Sequence, residues 1–448
     1  MNLSPSLSLA LLAAVTLLAG CRTAVPAYET RARDDLAAIR PTAPALDSQL
    51  PAVDSSSPPA DFIRFAVLHH PAVIAAYDDW RAAVAAVTPA RSLPDPKFTF
   101  QADIADTLMS FMPGLMFDVM TTGKRTAMGR EAAAGAEVAH RAYVAAVLRT
   151  AAEARRAWIE LAYVEQSRRL YTRTIHAAEE TLDFTNSGYA TGRGMASFTE
   201  QTRLQNEIAR HHAHHAALDE RLVAARARFK SALGLAPADA DPPWPVPELT
   251  ATALPTADQL WQRAAAGNPE LAQMRAMVDM AIASVAVAEK TGTPDFSVGA
   301  MVDLRANPLM VRPTAAVSLP IWRDRIAAAV ASATARRDAA TARVRAEELE
   351  LAAELAQQLS MVRESDLMLA YIDHTALPNL TRTVASLEAG VASGMGDPAM
   401  IAETRMSELD LQHERLDALR DRENAVVDLL LLTAAVTPVD LNPASNSR

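Results

Sequence analysis

A single cysteine, Cys21, occurs in 448 residues. One thiol excludes an internal disulfide framework and any zinc site built from several cysteines. Cationic residues are outnumbered: 43 Lys and Arg stand against 53 Asp and Glu, for a formal charge of −10. That balance gives no electrostatic reason for nucleic acid as a partner. Aromatic residues make up only 5%. No G-x-S-x-G, phosphate-binding glycine loop, G-x-G-x-x-G after a strand, or H-E-x-x-H is present, so no enzyme constellation is in view and no cofactor is expected. Beyond the first twenty residues, no apolar run reaches the roughly 20 residues that a membrane-crossing helix needs. The nearest, 426–436, is short and carries Asp428.

What the chain does have is alanine, glutamate and arginine, a composition that favours long, closely packed helices. Set into this helical background is one passage that occurs twice, over 93–125 and 293–325. Each copy opens on Pro-Asp (Pro94-Asp95, Pro294-Asp295) and closes on basic residues, Lys124 and Arg125 or Arg323 and Arg325. Between these ends, apolar and polar residues alternate. Phe98, Phe100, Ala102 and Ile104 are interleaved with Lys97, Thr99, Gln101 and Asp103, and Leu115, Phe117 and Val119 with Asp118 and Met120. In the second copy Phe296, Val298, Ala300, Val302 and Leu304 alternate with Ser297, Gly299 and Asp303, and Val311 to Ile321 with Arg312, Thr314 and Ser318. A period of two means a strand with one apolar and one polar face. Each copy is therefore a β-hairpin, over 97–121 and 296–321.

Each hairpin feeds a long helical run. Residues 126–187 lack proline; at about 1.5 Å per residue, some sixty residues span roughly 90 Å. Gly188, Gly192 and Gly194 break this run, and Met195 to Leu233 returns until Gly234, Pro237 and the prolines of 242–245. The second half repeats the plan: Arg323 to Ala389 contains only Pro378, Gly390, Gly394, Gly396 and Pro398 break it, and Ala399 to Thr437 returns. Asn268 before Pro269 reads as a helix start, matched by His70 before Pro71. Thr256 with Gln259 reads as a capping box. Helices of this length need antiparallel partners along their length. The fold class is mainly α with a β-barrel portion: long antiparallel helix pairs plus four strands per chain, in two structural repeats. Four strands cannot close, and open edges are not tolerated in lipid. Three copies would give twelve, within the even-numbered range of bacterial barrels. Asp103, Asp118 and Asp303 would then face a watery lumen.

The amino terminus explains the cysteine. The largely apolar run Leu9 to Leu18 leads into Ala19-Gly20-Cys21, a secretory signal ending in small residues. Leu-Ala-Gly-Cys resembles the lipobox of bacterial lipoproteins. That resemblance implies that Cys21 is the lipidated (palmitate-bearing) first residue of the mature chain; Arg22, rather than aspartate, implies the outer membrane. Residues 22–60, rich in Pro, Ala, Ser and Asp, read as an extended linker. The expected organisation is a signal peptide over 1–20, a lipidated linker over 21–60 and a first repeat over 61–248 with its tip at 188–197. A second repeat over 255–437 has its tip at 390–398, and a tail covers 438–448.

Taken together, the lipobox, duplicated hairpins, paired long helices and glycine-broken tips resemble the TolC family of outer-membrane efflux channels. The particular marks are Gly123-Lys124-Arg125, Leu319-Pro320-Ile321-Trp322, Tyr189-Ala190-Thr191-Gly192 and Leu387-Glu388-Ala389-Gly390. The resemblance implies a homotrimer in outer-membrane lipid, with an α-helical tunnel extending into the periplasm. It implies a periplasmic adaptor and an inner-membrane pump as partners, and a passive efflux function. The tips would dock the adaptor and set the aperture through Tyr189, Gly192, Arg193 and Ser197 in one repeat and Leu387, Gly390 and Asp397 in the other. Ser197 and Phe198 stand where the family often carries an acidic residue, and Lys230 where an asparagine is usual. Met109, Met112, Met116 and Met120 beside a Gly-Lys-Arg exit resemble the heavy-metal branch, although methionine is more often apolar filling.

His211, His212, His214 and His215 form the one histidine cluster in the sequence. His211 shares a helix face with His214 and with His215, a spacing that metal ligands use. A solvated helix face is the expectation favoured over a metal site, since no thiolate or arranged carboxylate stands near. A competing class, a lipid-anchored periplasmic coiled-coil scaffold or adaptor, accounts for the helices but not for two alternating hairpins.

Overall fold

The computed structural model describes residues 25–39, 53–104, 108–191, 198–245, 248–306, 308–393 and 398–434. In chain order the elements are α1 (Ala27–Ile39), α2 (Pro59–His69), α3 (Pro71–Arg91), β1 (Lys97–Ile104), β2 (Leu108–Val119), α4 (Thr122–Thr191) and α5 (Phe198–Ala232). The second half follows with α6 (Ala257–Gly267), α7 (Pro269–Lys290), β3 (Asp295–Asp303), β4 (Met310–Ser318), α8 (Arg323–Tyr371), α9 (Leu377–Ala392) and α10 (Pro398–Leu432). A π-helical turn, Ile372–Ala376, joins α8 to α9. Helix, hairpin, long helix and returning helix thus occur in that order twice.

By its contacts the chain divides into two compact units. The first comprises Met1–Pro41, Arg81–Glu137 and Ile282–Ala333, and the second Thr42–Trp80, Val138–Ala281 and Thr334–Arg448.

The first unit holds the sheet, ordered β1-β2-β3-β4 with every neighbouring pair antiparallel. The strands are where the alternation placed them, with ends trimmed at Met120, Leu304 and 319–321. β4 stops at Ser318, because Pro320 has no N–H to donate to a ladder. Leu319 and Ile321 instead lie in a tight turn, in which the Ile321 N–H donates to the Leu319 carbonyl at 2.9 Å. The same unit corrects the expected extended linker over 22–60 in one part, since residues 27–39 are helical. The stretch mixes alanine with Glu, Arg and Asp, which favour a helix as soon as one face is covered. Glu29 on that face is fully buried. It accepts from Arg91 on α3, from Thr88 at 2.7 Å and from Arg33 at 2.5 Å.

The second unit is helical. One core cluster gathers Phe62, Phe65, Trp158, Ile159, Leu161, Leu222, Phe229, Leu416 and Leu419. Phe62 meets Phe229 edge to face at 5.4 Å, a favoured aromatic geometry. A second cluster joins Leu260 and Leu271 to Leu351, Leu355, Val362 and Leu429. The expected starts are present. Thr256 and Gln259 exchange both capping-box bonds. The Asn268 carboxamide accepts from the Leu271 N–H at 2.8 Å and donates to the Leu432 carbonyl at 3.2 Å. Glu423, buried, accepts from the Thr252 N–H and hydroxyl at 2.9 and 2.6 Å and so fastens the incoming segment to α10.

Two details depart from the sequence reading. α4 runs through Gly188 to Thr191, and α9 runs through Gly390 to Ala392. A lone glycine costs a helix only about 1 kcal/mol relative to alanine, so neither stops it. Pro378 lies inside its helical run, where the sequence reading places it. The missing N–H falls just after the π-helical turn, where the wider winding accommodates it. Finally, the stretch Ala257–Lys290 is long and apolar enough to cross a membrane by length and composition. Alanine raises the average there, although Leu260, Ala264 and Leu271 are packed in the helical core and Glu270, Arg275 and Asp279 interrupt the stretch.

Candidate functional site

The register assigns every strand residue to a face, because residues directly opposite in an antiparallel pair share one. Phe98 is opposite Leu115, and Leu115 is opposite Ala300. Phe117 is opposite Val298, and Val298 is opposite Ala315. Val119, Phe296 and Val317 form a third row. This face is wholly apolar across four strands, and it is exposed: Phe98 is 65% and Phe100 70% accessible. Exposed apolar patches of this size on a folded chain mark a surface meant for lipid or protein.

The other face is polar and internally bonded. It carries all three aspartates that the alternation singled out. The Asp103 carboxylate accepts from the Ser110 hydroxyl at 2.9 Å. Asp118 pairs with Lys97 at 2.7 Å and accepts from Ser297 at 2.6 Å. Asp303 is buried and faces Arg312 at 3.6 Å. Met112, Met116 and Met301 also lie on this face, by their opposition to Gln101, Lys97 and Gly114. Gly114 leaves room for Met301: a Cβ there would fall 2.5 Å from both the Ala300 carbonyl oxygen and Met301 Cγ.

At the base of the sheet, Lys124 Nζ bonds Asp295 at 2.6 Å. The Thr121 and Thr293 hydroxyls lie 3.5 Å apart beside this pair. Arg125 donates to the Arg91 carbonyl at 3.0 Å. The first repeat's basic exit is thus bonded within the chain, a pairing that no local sequence signal announces.

The tip residues are only partly described. Tyr189 lies in the last turns of α4, and Leu387 and Gly390 are half-buried in α9. Gly192, Arg193, Ser197 and Asp397 lie outside the described residues, as does Cys21.

The solvated face expected of the histidines is present only in part: His212 and His214 are exposed, and His211 is not. His211 is only 8% exposed, because Tyr171 of α4 and His413 of α10 cover it. Rings of His211, His214 and His413 surround Tyr171 at centroid distances of 6.0, 5.7 and 4.2 Å. Burial pushes the His211 imidazole down, and pushes that of His413 down to about 4. His215 turns elsewhere, to Asp219 at 3.4 Å and Thr172 at 3.3 Å. Among the described residues, no three His, Cys, Asp or Glu side chains are placed to hold a metal ion. Lys230, the departure from the family's usual asparagine, bonds the Pro237 and Asp239 carbonyls and Asp241, at 2.5–3.1 Å, and ties down the loop after α5.

Residues 260–435 match the family model of the outer membrane efflux protein. The fold is shared with the outer membrane protein VceC of Vibrio cholerae, at a TM-score of 0.67 and 16% identity over 86% of this chain and 95% of that one. It is shared with the open state of the MtrE outer membrane channel of Neisseria gonorrhoeae, at a TM-score of 0.70 and 15% identity over 87% and 96%. The CmeC outer membrane channel of Campylobacter jejuni matches at 0.65 and 13% over 87% and 90%. No curated protein matches in sequence. The sequence likeness to the outer membrane efflux protein family thus covers residues 260–435, and the fold over most of the chain is that of these outer-membrane channels.

Proposed function

We propose that the chain is the outer-membrane channel of a tripartite efflux system, assembled as a homotrimer. It would passively conduct substrates delivered by an inner-membrane pump through a periplasmic adaptor. One observation carries this reading: four strands present a continuous exposed apolar face, and both edge strands, β1 and β4, lack a further partner among the described residues. In lipid such edges must be paired, and three chains supply a closed set of twelve strands. A periplasmic scaffold would have no use for that face. Cys21 would carry the lipid anchor at the outer membrane.

In this reading Asp103, Asp118 and Asp303 line the lumen, Asp118 paired with Lys97, Asp303 facing Arg312, and Asp103 accepting from the Ser110 hydroxyl. The tips, with Tyr189, Gly192, Arg193, Ser197, Leu387, Gly390 and Asp397, form the adaptor-docking aperture. Three copies of Asp397 around an axis would make an acidic ring suited to cations. Met116 and Met301 on the polar face suit a soft metal cation as cargo, whereas Met112 is buried within the chain; a deletion strain hypersensitive to such metals, and not to organic drugs, would support that choice.

The test is conductance. Purified protein in planar bilayers should give discrete channels, with a cation block that weakens in Asp397→Ala. A monodisperse monomer with native strand content and no conductance would sink the channel reading.

A further inference from the structure

The two hairpins meet once within the chain, and the β2–β3 junction shows how one hairpin ends against the start of the next. Asp118 stands opposite Ser297 and accepts its hydroxyl at 2.6 Å. Just below, Thr121 faces Thr293 at 3.5 Å, and Lys124 bonds Asp295 at 2.6 Å. The duplicated passage repeats these positions at an interval of 200 residues, as from Pro94-Asp95 to Pro294-Asp295. Going back by that interval from the start of β3 leads to the start of β1: Leu93 for Thr293, Asp95 for Asp295 and Lys97 for Ser297. Going forward from the end of β2 leads to the end of β4: Ser318 for Asp118 and Ile321 for Thr121. The interval sets Asp324 against Lys124, but the second long helix begins one residue later, and its third residue, the place that Lys124 holds in α4, is Arg325.

Within one chain these counterparts do not meet, because β1 and β4 are opposite edges of the sheet. Apart from Lys97, which pairs with Asp118 at 2.7 Å, they are left open. Ile321 is 66% and Leu93 44% exposed. Asp95 and Arg325 are exposed as well, and neither has an ion-pair partner among the described residues. Thus the junction that is satisfied inside the chain exists a second time with its two halves on opposite edges.

We propose that the β4 edge is occupied by β1 of a second copy of this chain, in the register that β2 and β3 use. Ser318 then stands opposite Lys97 of the next copy, Val317 opposite Phe98, Ala316 opposite Thr99 and Ala315 opposite Phe100. Arg325 pairs with Asp95 across the seam, and Ile321 packs on Leu93. The proposal rests on the trimeric reading and adds to it the register and the ion pair that locks it. A slip of one residue would set the apolar rows of one copy beside the polar rows of the next. A slip of two would keep the faces but move Arg325 about 7 Å along the strand from Asp95, at about 3.4 Å per residue.

Cysteine pairs test the register, since Cys21 is the one native cysteine. Ala316→Cys with Thr99→Cys should cross-link in oxidised membranes to a covalently closed trimer on a denaturing gel, while each single variant stays monomeric. Ala316→Cys with Gln101→Cys should cross-link at least about tenfold less, because a disulfide needs Cβ atoms about 3.5–4.5 Å apart. Stronger linkage in that shifted pair overturns the register. No linkage in either pair, in chains that still run as trimers on native gels, overturns the β4–β1 seam. Chains that run only as monomers overturn the trimeric reading itself. For the ion pair, Asp95→Arg or Arg325→Asp should each lower the heat resistance of the trimer, and the double reversal should restore it. Lack of rescue overturns the pair, as does a loss of heat resistance confined to Arg323→Asp.

Discussion

His413 is an apolar-packed side chain that happens to titrate. Its ring lies 4.2 Å from that of Tyr171, and Nε2 stands 3.4 Å from the Thr174 hydroxyl. Burial holds its pKa at about 4, with Asp417 opposing that shift and His211, Arg173 and His214 adding to it. The folded chain therefore binds fewer protons here than the unfolded chain between about 4 and the ordinary 6.5. Stability from this contact is present in full above 6.5 and declines as pH falls toward 4. His211 shifts in the same direction and adds to the slope. Thermal melts of the detergent-solubilised protein should thus fall in midpoint between pH 7 and pH 4.5, and His413→Phe should flatten that fall by removing one titrating group. An unchanged slope in the variant would mean that the cluster does not couple to unfolding.

At the scale of elements, α1 is the clearest addition to what the sequence offers. It is a short helix, held by one fully buried carboxylate that accepts from Arg91, Thr88 and Arg33. Removing one partner of a buried pair strands the other, at a cost of about 3–5 kcal/mol. Glu29→Ala should therefore release residues 27–39, read as lost amide-exchange protection confined to that segment and to the end of α3. The strands, by contrast, were legible in the sequence, because a period of two is written in Phe98-Thr99-Phe100 and again in Phe296-Ser297-Val298 themselves. The caps at Thr256 and Asn268 were legible for the same reason, since partner and helix start lie within three residues. α1 was hidden because its partners Thr88 and Arg91 lie some sixty residues away (Glu29 to Thr88, Glu29 to Arg91), and because prolines and serines around it suggest open chain. The burial of His211 was hidden too, as Tyr171 and His413 reach it from two other helices. Gly188 and Gly390 misled in the opposite direction: they mark where a helix can end, while the residues beyond decide whether it does.

For the whole molecule, the two faces of the sheet make different demands, and the proposed three-fold assembly would multiply the difference. A lysine on the lipid side of a barrel at mid-depth costs about 2–4 kcal/mol, and a substitution in a homotrimer is made three times, so one codon change removes about 6–12 kcal/mol from the assembly. Phe117 lies in the middle of the apolar face, opposite Val298. Thr99 lies on the polar face, opposite Gly114 and beside the Lys97–Asp118 pair. Phe117→Lys should empty the outer-membrane fraction of heat-resistant trimer, because total stabilities are typically only about 5–15 kcal/mol per domain. Thr99→Lys adds the same charge to the same sheet but puts it beside water and aspartates, so trimer yield should stay near the parent's, with a change in cation conductance instead. The comparison introduces one residue type at two positions, so the added charge is the same and its face differs. Equal yields from the two variants would mean that the sheet does not meet lipid on its apolar side, and the channel wall would have to be sought elsewhere in the chain.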